Sequence, residues 1–122
     1  MLALSNNPLV RDAQKEPCLF VEGTPLEVLY KALDLVAGGR YSLFAHPIAG
    51  NERLLRNPFR TVVLQSGAAE NGTTPEQQMA SLNRALNKME IIDYGAIPEG
   101  TLQDYQTVDY ELYLGTVRGA QN

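Results

Sequence analysis

Residues 18–45 read CLFVEGTPLEVLYKALDLVAGGRYSLFA. Cys18-Leu19-Phe20-Val21 is a short apolar run closed by Glu22-Gly23, which reads as a strand and its exit. Thr24-Pro25-Leu26-Glu27 then carries a helix start. It has a capping threonine, a proline where the helix needs no N–H, and a glutamate three residues on. Leu26, Leu29, Leu33 and Val36 recur at helical spacing, with Val28 and Leu35 widening the stripe. Gly38-Gly39 stops the helix, and Tyr41-Ser42-Leu43-Phe44-Ala45 begins another strand. Strand, capped helix, glycine stop and strand make a βαβ unit, whose crossover sets its two strands parallel.

Upstream, Met1-Leu2-Ala3-Leu4-Ser5 reads as a short inner strand broken by Asn6-Asn7-Pro8. Asn7 is placed to cap a short helix that begins with Pro8 and runs through Leu9-Val10-Arg11-Asp12-Ala13-Gln14. Pro17 ends it, leaving a connection short for a helical crossover. Downstream, Thr61-Val62-Val63-Leu64-Gln65 is a fourth strand of open direction, ending at Ser66-Gly67. Thr74-Pro75-Glu76-Gln77 repeats the helix-start signal, with Met79, Leu82, Leu86 and Met89 as the apolar face. Ile91-Ile92 fits an edge strand. Thr101-Leu102-Gln103-Asp104 opens a last helix, along which Leu102, Tyr105, Leu112 and either Val108 or Asp109 lie. The expectation is a small single-domain α/β sandwich over residues 1–117. Its four-stranded sheet is mainly parallel and Rossmann-like, flanked by helices, with the first three strands parallel and residues 118–122 a frayed tail.

A chain of 122 residues suits one domain with a modest core. The single cysteine excludes an internal disulfide and a cysteine-rich zinc site, and fits a cytoplasmic protein. The first residues are too short and uncharged for a signal peptide, and no apolar run approaches the ~18 residues of a membrane helix. A net charge of −4 argues against non-specific nucleic-acid binding. No nucleic-acid or membrane partner is expected. Charge is nonetheless uneven. Arg40, Arg53, Arg56 and Arg60 gather in and beside one loop against Glu52, while residues 90–111 hold six acids and no Lys or Arg.

The only histidine, His46, sits where the strand starting at Tyr41 ends. In open α/β sheets ligands bind beyond the carboxyl ends of strands, and an imidazole exchanges protons near neutral pH. The same position suits a structural histidine bonded to loop backbone. A lone histidine excludes a multi-histidine metal site, and the glycines fit neither G-x-G-x-x-G nor a P-loop, so neither metal nor cofactor is expected. Cys18 reads as a buried, inert thiol, and Ser5 and Ser66 end strands outside any nucleophile elbow.

Asn6 and Asn7 offer amides that donate and accept, although capping alone explains Asn7. Glu22-Gly23-Thr24 reads as turn and cap. The loop with Gly50, Arg53, Arg56 and Asn57 brings guanidinium forks suited to carboxylate or phosphate. Were the first and third strands neighbours, Asn7 and His46 would share one bound group, and alanine at either would leave stability close to wild type.

Ser5-Asn6-Asn7-Pro8-Leu9-Val10, His46-Pro47-Ile48-Ala49-Gly50 and Asn57-Pro58-Phe59-Arg60 together resemble the GrdX-like proteins. These are encoded with the selenium-dependent glycine, sarcosine and betaine reductases of amino-acid-fermenting anaerobes. Shared are an opening Thr-Asn-Asn-Pro-x-Val, with Ser5 here in place of the threonine, a His-Pro-Leu followed by glycine, and a Pro-aromatic pair before a strand. The resemblance spans residues 2–64. It implies an accessory role in reductase maturation, assembly or regulation, and supplies no mechanism.

Two functional readings follow. One is a non-enzymatic accessory or regulatory protein that holds a small anion or part of a reductase subunit at the edge from His46 to Arg60. The other is a small enzyme acting on a carboxylate or phosphate substrate, with His46 as general acid or base and Asn7 or Arg53 orienting the substrate. A homo-oligomer joined through the acidic, tyrosine-rich residues 94–113 is a third, structural possibility.

Overall fold

A computed structural model describes residues 1–44, 56–69, 72–90 and 97–121, with side chains as far as Arg118. Four strands and four helices alternate in part: β1 (Leu2–Ser5), α1 (Pro8–Ala13), β2 (Cys18–Phe20), α2 (Pro25–Ala37), β3 (Tyr41–Leu43), β4 (Thr61–Ser66), α3 (Pro75–Met89) and α4 (Glu99–Gln121). Ala45, Ile91 and Ile92 lie outside the described residues. The last helix opens two residues before Thr101 and runs past Val117.

The strands stand in the order β2-β1-β4-β3. β1 and β2 are parallel, and β4 is antiparallel to both of its neighbours. β1, β2 and β3 therefore point the same way, as the sequence leads one to expect. The sheet is nevertheless mixed, not mainly parallel, and no Rossmann-like order is established by it. The cause is β4. It enters between β1 and β3, so the two strands of the βαβ unit end up on opposite edges, and α2 crosses the width of the sheet. The short β1–β2 connection still suffices for a parallel return, because α1 is under two turns long.

Side chains alternate across the sheet with period two. Leu4 faces Val62, and Leu2 faces Leu64, on one side. There they meet Val28, Leu29, Ala32 and Val36 of α2 and Leu82, Ala85, Leu86 and Met89 of α3 in one aliphatic core. Ala3 faces Val63 on the other side and packs with Val10 of α1 and Tyr113 and Val117 of α4. This makes three layers, α2 and α3 on one face and α1 and α4 on the other.

The helix ends show which sequence signals were used. Thr74 and Gln77 close a complete capping box on α3. Thr24 occupies the N-cap of α2 with no side-chain hydrogen bond, so the expected box is absent there. Only its main-chain oxygen serves, accepting from the Glu27 and Val28 amides. Glu27 instead folds over Gly23, whose φ of 131° and lack of Cβ admit the carboxylate. Gly39, at φ 83°, is the left-handed residue past the end of α2.

Cys18 and Phe20 are half-buried and Leu19 is 38% exposed, so β2 is an open edge strand and Cys18 is not the fully buried thiol expected. Burial raises the Cys18 pKa, partly offset by Arg11. No helix among the described residues is long and apolar enough to cross a membrane.

Candidate functional site

The carboxyl ends of β1 and β2 and the start of β4 lie along one margin of the sheet. Asn6 is 6% exposed and joins these three chain segments. Its amide donates to the carbonyls of Gly23, at 2.9 Å, and Pro58, at 2.8 Å. Its Oδ1 accepts from the Arg60 amide at 2.8 Å. One side chain thus ties the exits of β1 and β2 to the entry of β4.

Asn7 is fully buried. Its Oδ1 caps α1 by accepting from the Leu9 amide at 3.1 Å. Its two amide hydrogens go to the Gln106 carbonyl, at 2.9 Å, and to Asp109 Oδ2, at 3.0 Å, both on α4. Asn57 repeats the plan just before β4. It is 2% exposed, donates to the Tyr105 carbonyl and accepts from the Phe59 amide, both at 2.9 Å. Both asparagines stabilise a local turn with Oδ1 and anchor it to α4 with Nδ2.

Asp109 is the centre of this cluster. Its Oδ2 also accepts from Thr61 Oγ1 at 2.7 Å, and Thr61 Oγ1 lies 2.8 Å from Ser5 Oγ. Ser5 Oγ in turn accepts from the Asn7 amide at 2.9 Å. An ionised carboxylate only accepts, so Thr61 gives its proton to Asp109 and Ser5 gives its own to Thr61. The hydrogen bonds therefore run one way, from Asn7 through Ser5 and Thr61 to Asp109, and Asn7 closes the ring with its side chain. Register makes this possible: Ser5 and Thr61 are cross-strand partners on the α4 side of the sheet.

Burial raises the Asp109 pKa, against the pull of Asn7, Thr61 and the nearby charge of Arg60. Arg60 itself is 5% exposed. A carboxylate and a guanidinium thus sit close together out of water at the margin of the sheet.

The sequence names some of these residues and misses others. Asn6, Asn7 and Asn57 are in the cluster. Arg56 is exposed beside Asn57. His46, Gly50 and Arg53 lie outside the described residues. Asp109, Thr61 and Ser5 carry the ring without having been singled out as site residues. The signal for Asp109 was an acid at a core-facing helical position: Asp109, Tyr113 and Val117, four residues apart, are the buried stripe of α4, while Val108 is 40% exposed. Of the acidic, tyrosine-rich stretch, Tyr113 is 3% exposed and packs in the core beside Tyr110.

β4 also separates β1 from β3, so their exits share a margin but are two strand spacings apart, about 10 Å. Both feet of the segment 45–55 are held. The Phe44 amide donates to the Val63 carbonyl at 2.9 Å, and Asn57 is anchored to α4. At the opposite margin, a shallow pocket of about 450 Å³ is lined by Arg11, Gln14, Lys15, Glu16, Pro17 and Cys18. No group of His, Cys, Asp and Glu among the described residues is placed to hold a metal ion.

No curated protein and no solved structure matches the chain. A family model described as GrdX-like protein matches residues 2–118, nearly the whole length and well past the stretch that carries the motifs. The Asn6-Asn7, Asn57 and Asp109 cluster is thus part of the matched region, and the chain belongs to the GrdX-like family.

Proposed function

We propose that this chain is a non-enzymatic accessory or regulatory protein of the selenium-dependent glycine, sarcosine and betaine reductase systems. It holds a small anion or a segment of a reductase subunit at the C-terminal edge of the sheet, from His46 to Arg60. Family membership supports the association with the reductase.

The observation that carries the contact role is how the margin uses its polar groups. Asn7 donates both amide hydrogens into the fold, Asn6 both of its own, and Asn57 is anchored to α4. These amides hold a frame, and a catalytic reading would ask Asn7 for hydrogens it already gives elsewhere. Between Phe44 and Arg56 the sequence carries His46, Gly50 and Arg53, and Arg56 itself is exposed. Guanidinium groups there suit a carboxylate, a phosphate or an acidic stretch of a partner.

The test is binding of purified reductase subunits, and separately of glycine, betaine and phosphate, to the wild type and to Arg53→Glu/Arg56→Glu. The expected result is saturable binding of one of these partners that the charge reversal weakens by on the order of tenfold or more, at unchanged melting temperature. Absence of binding to every subunit and anion, or binding untouched by the reversal, would contradict the proposal.

A further inference from the structure

The two edges of the sheet are finished differently. On β3, Leu43 points its amide outward, and Gln78 Oε1 of α3 accepts it at 2.8 Å. Gln78 is 4% exposed, so that edge is covered. On β2, the Pro17 carbonyl accepts from the Ala3 amide and the Val21 amide donates to the Ser5 carbonyl. In a parallel pair this parity turns Pro17, Leu19 and Val21 toward β1, and Cys18 and Phe20 away from it. Their main-chain N–H and C=O groups face outward. The proline that often blunts an edge strand has its missing donor on the inner side here, where it leaves the outer edge intact. Leu19, 38% exposed, adds apolar surface to this edge.

We infer that β2 pairs antiparallel with β2 of a second copy of this chain, centred on Phe20, joining two sheets into one. The proposal is independent of the reductase association. Register decides the occupant. A pairing centred on Leu19 sets Glu16 directly opposite Glu22 of the other copy, two like charges. A pairing centred on Cys18 needs Glu16 extended, but the chain bends at Lys15 and Glu16. A pairing centred on Phe20 sets Phe20 against Phe20, Leu19 against Val21, and Cys18 against Glu22, with every outward N–H matched to a C=O.

Charge complements this register. The Arg11 guanidinium donates through Nε to Asp12 Oδ1 at 2.9 Å and lies over the Phe20 ring, 4.6 Å from its centre, so a carboxylate brought to its terminal nitrogens is a second partner. Strand alternation puts Glu22 of the second copy on the same face, diagonal to Phe20 and within reach of Arg11. Two-fold symmetry makes the pair twice.

Sedimentation equilibrium over a wide concentration series tests the proposal. The wild type should dimerise reversibly. Arg11→Glu and Glu22→Arg should each weaken association on the order of tenfold, since each removes two symmetric pairs, and combining them in one chain should restore it. Phe20→Pro, which removes only an outward N–H from the backbone ladder, should leave a monomer. A wild type monomeric throughout, or a dimer unaffected by either charge reversal, would overturn the inference. Should Phe20→Pro fail to fold, the charge-swap pair decides alone.

Discussion

The two faces of the sheet are built from the same strands yet solve different problems. Toward α2 and α3 the strands present Leu4, Val62 and Leu64 to a mainly aliphatic interior that also takes in Met89 and the edge of Tyr41. Toward α4 they present Ala3 and Val63, and then, at the margin, Ser5 and Thr61 to a buried aspartate. Aliphatic contacts have no directional partners, and the larger of the two apolar clusters lies on this first face. Hydrogen bonds demand particular partners at particular angles, so the second fixes where the chain segments at the sheet margin start and stop. The lesson is a division of labour: one face keeps the protein folded, and the other sets the geometry on which the proposed contact site stands.

A cavity on the α2–α3 face should have the largest effect. Leu64→Ala, at a position with no exposure, should cost about 2–5 kcal/mol of unfolding free energy, read from denaturant titration. Binding by the surviving folded fraction should be unchanged.

Asn7→Ala attacks the other face. It removes the α1 cap and takes one of two donors from Asp109 Oδ2 and a second donor from the Gln106 carbonyl, which stays bonded within α4, for about 2–4 kcal/mol. The sequence alone leads one to expect a near-neutral exchange, and full burial of the side chain is the reason for the revision. If the two faces differ as described, Asn7→Ala should also weaken partner binding, and Leu64→Ala should not.

Much of the fold was legible because it is written in local signals. Pro8, Pro25 and Pro75 each mark a first helical position, and Gly39 marks a helix end. Strand order was not legible, because nothing local tells β4 to enter beside β1. That choice is made by the match of Leu2, Ala3, Leu4 and Ser5 to Leu64, Val63, Val62 and Thr61, four pairs that agree in face and polarity. At the site, Asn6, Asn7 and Asn57 stood out as short polar residues at strand and loop ends. Asp109 did not, because an acid on a helix reads as surface until the buried stripe of that helix is known.

A smaller effect separates two similar sequences. Thr74→Ala should cost about 1 kcal/mol, because its hydroxyl accepts the Gln77 amide at 3.2 Å. Thr24→Ala should cost only a few tenths of that, roughly 0.3 kcal/mol, since its side chain makes no cap bond. Equal losses in thermal unfolding would mean that the two caps are alike.

The smallest effect is one of slope. The folded-state pKa of Asp109 is raised above its ordinary 3.8, chiefly by burial. Between 3.8 and that raised value the folded state binds more protons than the unfolded one, so this group's contribution to stability falls as pH rises through the window. Asp109→Asn keeps an acceptor for Asn7 and Thr61 and removes the titration. The stability of the wild type relative to this variant should therefore decline from acid toward neutral pH. A difference that is flat or rises would place the carboxylate outside the buried ring.

The margin framed by Asn6, Asn7, Asn57 and Asp109 is the proposed contact site, and the α2–α3 face is not. Hydrogen exchange of the chain alone and mixed with the reductase subunit proposed to bind it separates the two faces. New protection is expected in residues 44–60 and at the start of α1, with α2 and α3 exchanging as in the free protein. Protection confined to α2 and α3, with residues 44–60 unchanged, would contradict it.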